Sequence, residues 1–244
     1  MESAKNWITT AKRFVVFLDI MGFKDFIYRN PHEVVYEKLQ LLSQKKEALD
    51  KASKNIGRPY RNSAIYSTSF SDSIIMFSKD DSIECFEIIS AAAAFLMQEA
   101  LTHNIPIKGG IAYGQVTVNK SQQIFFGQPV IDAYEMQEDV CYYGIIAHHT
   151  INDYLTSHQS EISLWTLNVL YKEIPTPLKS GKISHHNINW FEFLNGLSGK
   201  NKPKGLLLAE YIKTIQNLKN KTSGAPRRYI DNTELVFHSM YPEG

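Results

Sequence analysis

Two aspartates stand where apolar strands stop. Asp19 sits near the end of the apolar run "RFVVFLDI" at residues 13–20, just before Gly22, and Asp72 lies inside "YSTSFSDSIIMFS" at 66–78. A carboxylate among apolar neighbours is costly unless a cation or hydrogen-bond donors meet it. Two such groups at the ends of adjacent strands can share divalent cations. Mg²⁺ takes one or two carboxylates and completes its shell with substrate phosphates. A pair of ions can flank a phosphorus centre, one activating the attacking oxygen and one neutralising the leaving group. Taken singly, each aspartate also suits a humbler task, Asp19 as a cap for the next helix and Asp72 as a hairpin residue.

The elements that must position this pair read clearly from the pattern. Residues 13–20 form a nearly continuous β-rich apolar run, as expected of a strand buried on both faces. Gly22 allows a turn, Phe23, Phe26 and Ile27 follow at helical spacing, and Pro31 opens a second helix. The polar stretch "KASKNIGRPYRNS" (51–63) reads as a loop. Strands at 64–70 and 73–78 then flank a Ser71-Asp72 corner. Asp80 to Ser82 can cap a long apolar helix to about His103. "IPIKGGIAYGQVTV" (105–118) reads as a strand, a glycine-eased turn and a second strand. A helix after Gly127 and a short strand at "YYGIIAH" complete the order.

Strand, two helices, two strands, helix, two strands, helix, strand predicts an α+β fold with helices packed on a largely antiparallel sheet. We expect a core domain at 1–155 and an extension at 156–244 packed on it. In the extension, "EISLWTLNVLYKEI" (161–174) reads as a strand pair or one long strand, "GLLLAEYIKTIQNL" (205–218) as an amphipathic helix, and "KNKTSGAPRRY" (219–229) as a basic loop.

Bulk properties narrow the class. The 244 residues are 43% hydrophobic and 21% charged, enough for a sizeable core and against general disorder. A net charge of +1 advertises neither nucleic acid nor an anionic membrane as partner. The only cysteines, Cys85 and Cys141, make neither a disulfide framework nor a zinc quartet. "MESAKNWITTAKR" lacks the apolar run of a signal sequence, so a cytoplasmic protein is expected.

In motif order the sequence resembles the class III nucleotidyl cyclases. "FLDIMGF" is similar to that family's first metal-binding motif and "FSDSIIMF" to its second. "IKGGIAYGQV" resembles its glycine-bearing strand pair, and "FFGQPVIDAYEM" the glycine-to-helix segment after it. The resemblance covers roughly residues 13–155 and implies a ferredoxin-like antiparallel sheet. Closer still is the similarity of "LDIMGFK", "FSDSII", "KGGIAYG" and "FGQPVIDAYEM" to the pyrimidine cyclases of the Pycsar anti-phage system. That implies conversion of CTP or UTP to cyclic CMP or cyclic UMP, a messenger for a separate effector protein, and a homodimer.

The resemblance assigns roles. Asp19, Asp72 and the Ile20 carbonyl would hold two Mg²⁺ or Mn²⁺ ions, and the turn at Gly22 and Phe23 would meet the phosphates. Purine cyclases of the family carry Lys or Glu four residues before the second metal aspartate. Thr68 stands there, with Tyr66 on the same strand face, which argues against a purine base. The Asn and Arg that those enzymes place after the glycine are replaced by Ile131 and Glu135. Lys108 is the leading substitute for stabilising transition-state charge, with Arg58 and Arg61 behind it. An adenylate or guanylate cyclase with altered base contacts, or a catalytically silent nucleotide-binding domain, remains open as an alternative. Neither His148-His149 nor His185-His186 has acidic or cysteine ligands at zinc spacing in the sequence.

Overall fold

The computed structural model describes residues 7–55, 64–195, 213–220 and 222–242. Their centre is one mixed eight-stranded sheet. Its strands are β1 (Thr10–Ile20), β2 (Ile65–Phe70), β3 (Ser73–Ser78), β4 (Ile107–Asn119), β5 (Ile124–Phe126), β6 (Ile145–Ala147), β7 (Tyr171–Leu178) and β8 (Gly181–Ile188). The order across the sheet is β2-β3-β1-β4-β6-β8-β7, with β5 paired to β4. Every pairing is antiparallel except β4 with β6. β1 therefore sits between β3 and β4, and Phe14, Val15, Val16 and Leu18 are wholly buried, as its continuous apolar run requires.

Helices cover both faces. On one side α2 (His32–Asn55) follows the short α1 (Phe23–Arg29), and α3 (Ile83–Thr102) and α5 (His149–Ser157) join it over the larger core. α4 (Gln128–Asp139) lies on the opposite face, over β4 and β1. The Ser82 hydroxyl caps α3 by accepting from the Cys85 N–H at 3.3 Å. α3 is apolar and long enough to cross a bilayer, but 67% of its most apolar window is buried. Its alanine-rich middle is core against the sheet. Helical residues 213–219 (α6) and α7 (Arg227–Met240) close the described chain.

Four sequence expectations are corrected. "IPIKGGIAYGQVTV" contains no turn, because β4 runs unbroken through both glycines. A side chain on Gly109 would meet Leu18 Cδ2 at 2.5 Å and the Phe17 carbonyl at 2.7 Å. One on Gly110 would meet the Ala133 carbonyl of α4 at 2.3 Å. The tandem glycines thus let one strand be approached closely on both faces, which is a packing demand and not a turn signal. Residues 166–170 form a π-helical turn, so only Tyr171 onward of "EISLWTLNVLYKEI" is strand. Finally, Arg227, Arg228 and Tyr229 open α7 instead of lying in a loop, and α2 extends through Asn55 into the expected loop. Residues 205–212 of the expected amphipathic helix lie outside the described residues, while 213–219 are helical.

The sequence also conceals a buried cation. Arg13 is fully buried, donating to the Ser78 carbonyl at 2.9 Å and to the carbonyls of Lys79 and Ile8, with Trp7 stacked 4.2 Å away. It ties the start of β1 to the end of β3.

The tight seat of α4 yields a measurable consequence. Gly110→Ala must displace α4 backbone, so it should destabilise the fold by about 1–3 kcal/mol in urea unfolding. A loss below about 0.5 kcal/mol would show that α4 rides loosely on β4.

Candidate active site

Strand register brings the two aspartates together. On β1, Asp19 is opposite Ser73 of β3 on one side and Lys108 of β4 on the other. Asp72 occupies the β2–β3 corner after Ser71, whose φ of 56° makes the corner tight. The corner is fastened to β1 because the Ile20 N–H donates to the Asp72 carbonyl at 2.9 Å. Beyond Ile20 the Met21 N–H donates to the Pro106 carbonyl at 2.8 Å. Gly22 then adopts the left-handed conformation (φ 68°, ψ 22°) that starts α1, with no side chain capping that helix.

The electrostatics of this notch are unfavourable to the Asp19 carboxylate. Burial, then the negative charge of Asp72, pushes the Asp19 carboxyl up to about 6, with Lys108 opposing and Glu138 adding to the shift. Lys108 is only 5% exposed, and its Nζ donates to the Glu138 carbonyl at 3.3 Å, at the C-terminal end of α4 where a cation is favoured. Burial lowers the Lys108 pKa and Lys179 lowers it further, while Glu138 and Asp19 pull it back. A divalent cation between Asp19 and Asp72 would relieve this repulsion. Among the described residues no group of three or more His, Cys, Asp or Glu side chains is arranged to hold a metal. A two-carboxylate notch fits Mg²⁺ or Mn²⁺ completed by phosphate oxygens, and does not resemble a zinc site.

Thr68 and Tyr66 share the Asp19 face of the sheet. Thr68 is opposite Ile75 and Tyr66 opposite Phe77, which places them about 7 Å and about 13 Å along the strand from the Ser73 level. Tyr66 belongs to an aromatic cluster, with ring centroids 6.4 Å from Phe77 and 5.7 Å from Phe125. Arg58 and Arg61 lie outside the described residues. Ile131 and Glu135 are exposed on α4.

Two residues near the notch escape sequence reasoning. The β7–β8 turn docks on the end of α4: the Lys179 N–H donates to the Asp139 carbonyl at 2.7 Å, and the Ser180 N–H and hydroxyl donate to the Asp139 carboxylate at 3.1 and 2.7 Å. This brings Lys179 Nζ to 3.2 Å from the Glu138 carboxylate, so a lysine from beyond residue 155 joins the electrostatics of Lys108. No local spacing announces a contact made across 41 residues of sequence.

No family model and no curated protein matches the sequence. Solved structures do. The catalytic core of a rhodopsin-guanylyl cyclase with converted specificity, in complex with ATPαS, aligns with a TM-score of 0.51 at 14% identity, covering 73% of this chain and 94% of that one. A bacterial light-regulated adenylyl cyclase gives 0.49 at 11% identity, covering 85% and 100%. The adenylyl cyclase CyaB from P. aeruginosa gives 0.46 at 17%, covering 73% and 94%. The first of these establishes that the chain has the fold of a nucleotidyl cyclase catalytic core, and the two scores under 0.5 carry no further argument.

The raised Asp19 pKa has a signed consequence. The folded chain keeps a proton that the unfolded chain loses between about pH 4 and about pH 6, so this group's contribution to stability falls as pH rises through that window. Mn²⁺ competes with the same proton, so its stabilising effect should grow through the window and level off above it. In thermal unfolding, Asp19→Asn should remove this group's share of the pH slope and abolish the Mn²⁺ response. An undiminished Mn²⁺ response in that variant would mean the ion binds elsewhere.

Proposed function

We propose that the chain is a metal-dependent nucleotide cyclase acting on a pyrimidine triphosphate, CTP or UTP. The observation that carries this is the meeting of Asp19 and buried Lys108, paired on adjacent strands, with Asp72 at the neighbouring hairpin corner of a cyclase-type sheet. In the reaction the ribose 3′-oxygen bonds to the α-phosphorus, the bond from that phosphorus to the β-bridging oxygen breaks, pyrophosphate leaves, and the 3′-hydroxyl proton passes to solvent. Divalent cations, when bound, would lower the 3′-hydroxyl pKa and neutralise the leaving group.

The chain's own residues do the rest. Asp19 and Asp72, with the Ile20 carbonyl, would hold the ions, and Lys108 offers a cation already dehydrated by burial, where its field is weakly screened. Gly22 and Phe23 form the turn that meets the phosphates. Thr68, a short hydroxyl, and Tyr66 leave a base site suited to a small ring. Catalysis is then positioning and charge neutralisation. Exposed apolar groups beside the notch, Phe70 on the sheet face with Ile131 and Tyr134 on α4, form the surface for a second copy in an isologous homodimer. In this reading the product is a messenger for a separate effector in anti-phage defence, made in the cytoplasm.

A second reading has its own observation. Ile131 and Glu135 stand where purine cyclases carry Asn and Arg, and neither can stabilise additional phosphate charge, which favours a silent nucleotide-binding domain or a slow enzyme. A purine substrate held by different base contacts is the other alternative.

Incubation with each of the four ribonucleoside triphosphates and Mn²⁺, with products separated by chromatography, decides among these. The expected result is cyclic CMP or cyclic UMP from the wild type. Asp72→Ala should lower the rate by on the order of 100-fold or more, since a metal ligand supplies several kcal/mol at the transition state. A cyclic purine product would refute the pyrimidine assignment. Folded protein with no product would favour the silent domain.

A further inference from the structure

The face of the sheet opposite the aspartates carries a second concave site. Between α2 and the β2–β3 hairpin lies an open cavity of about 380 Å³. Its floor is apolar, formed by Ile20, Leu42 and Ile74, all at most 5% exposed. Its rim is polar and carries one cation: Lys46 Nζ lies 3.4 Å from the Ser69 hydroxyl, and Ser43 stands one helical turn before Lys46. Among the described residues Lys46 makes no ion pair. Ser67, next along the same strand face as Ser69, has a buried hydroxyl without a hydrogen-bond partner.

Among the described residues, an apolar floor with one lysine outside any ion pair and hydroxyls at its edge matches one ligand chemistry, a hydrocarbon body ending in an anion. The volume lies within the range of small-molecule sites. The location gives such a ligand leverage. Ile20 directly follows Asp19, and Ser71, which also lines the cavity, directly precedes Asp72. The Ile20 N–H is bonded to the Asp72 carbonyl, so the cavity wall and the backbone carrying both carboxylates are one piece of structure.

We propose that this cavity is a regulatory site for a small amphiphilic anion, and that its occupant tightens metal binding between Asp19 and Asp72 by fixing Ile20 and Ser71. This goes beyond the assignment of a reaction, and both readouts below are independent of cyclisation. Failure here leaves the cyclase reading standing, and an inactive protein leaves this one testable.

The test is calorimetric titration of the full-length chain with decanoate, decanol and acetate. Decanoate should bind with unit stoichiometry. Decanol, lacking the charge, and acetate, lacking the chain, should bind at least about tenfold more weakly, the usual scale for one charge-assisted contact. Lys46→Gln should reduce decanoate to the affinity of decanol, and Ser43→Trp should fill the cavity and abolish binding. Saturating decanoate should then raise Mn²⁺ affinity several-fold in wild type and not in Lys46→Gln. Equal binding of decanoate and decanol, full decanoate affinity in Lys46→Gln, or no binding at all would overturn the site. Because Lys46 is a surface residue of α2, its variant keeps the proposal refutable should Ser43→Trp not fold. Decanoate binding with unchanged Mn²⁺ affinity would overturn the coupling.

Discussion

Asp19 is held in place by its strand. The strand that carries it is held by neighbours on both sides and buried on both faces, so its carboxyl must stay beside Asp72 and Lys108 whatever its charge state. The consequence is a carboxyl pushed up to about 6 and a lysine pushed down, both chiefly by burial. A fold that maintained this arrangement for stability alone would gain little, since buried charges are costly unless fully paired. The proposed cation site would give the arrangement a purpose.

The surrounding structure serves that constraint. The Ile20 to Asp72 hydrogen bond fixes the β2–β3 corner against β1, so the two carboxylates keep their spacing. Gly110 lets α4 settle directly on β4, and the C-terminal carbonyl of Glu138 then reaches the Lys108 ammonium. The β7–β8 turn clamps the same end of α4 through Asp139 and adds Lys179. The strands after residue 155 extend the same sheet as β6, and their turn bears on the electrostatics of the notch.

Much of this was legible in local pattern. The apolar run of β1, the hairpin corner at Ser71-Asp72, the capped α3 and the helix after Gly127 all follow from periodicity, turn chemistry and capping, whereas the second strand expected within 105–118 is absent and β5 at Ile124–Phe126 carried no signal. Gly109 and Gly110 misled because glycine marks both turns and close approaches, and only the positions of Leu18 and Ala133 decide between them. Nothing local marks Arg13 as a buried cation, because the Ser78, Lys79 and Ile8 carbonyls that surround it come from other segments or precede the strand. Glu138 and Lys179 are ordinary surface residues in sequence, joined only by tertiary docking. Contacts between distant segments are the part of the site that no spacing rule reaches.

The most direct test of the account is to locate the metal. Crystals grown with Mn²⁺ and 3′-deoxy-CTP, which lacks the attacking hydroxyl, should be measured at the manganese absorption edge. The account predicts anomalous density between the carboxylates of Asp19 and Asp72, with the triphosphate on the Lys108 side. Manganese bound elsewhere, or none at those aspartates with triphosphate present, would contradict it.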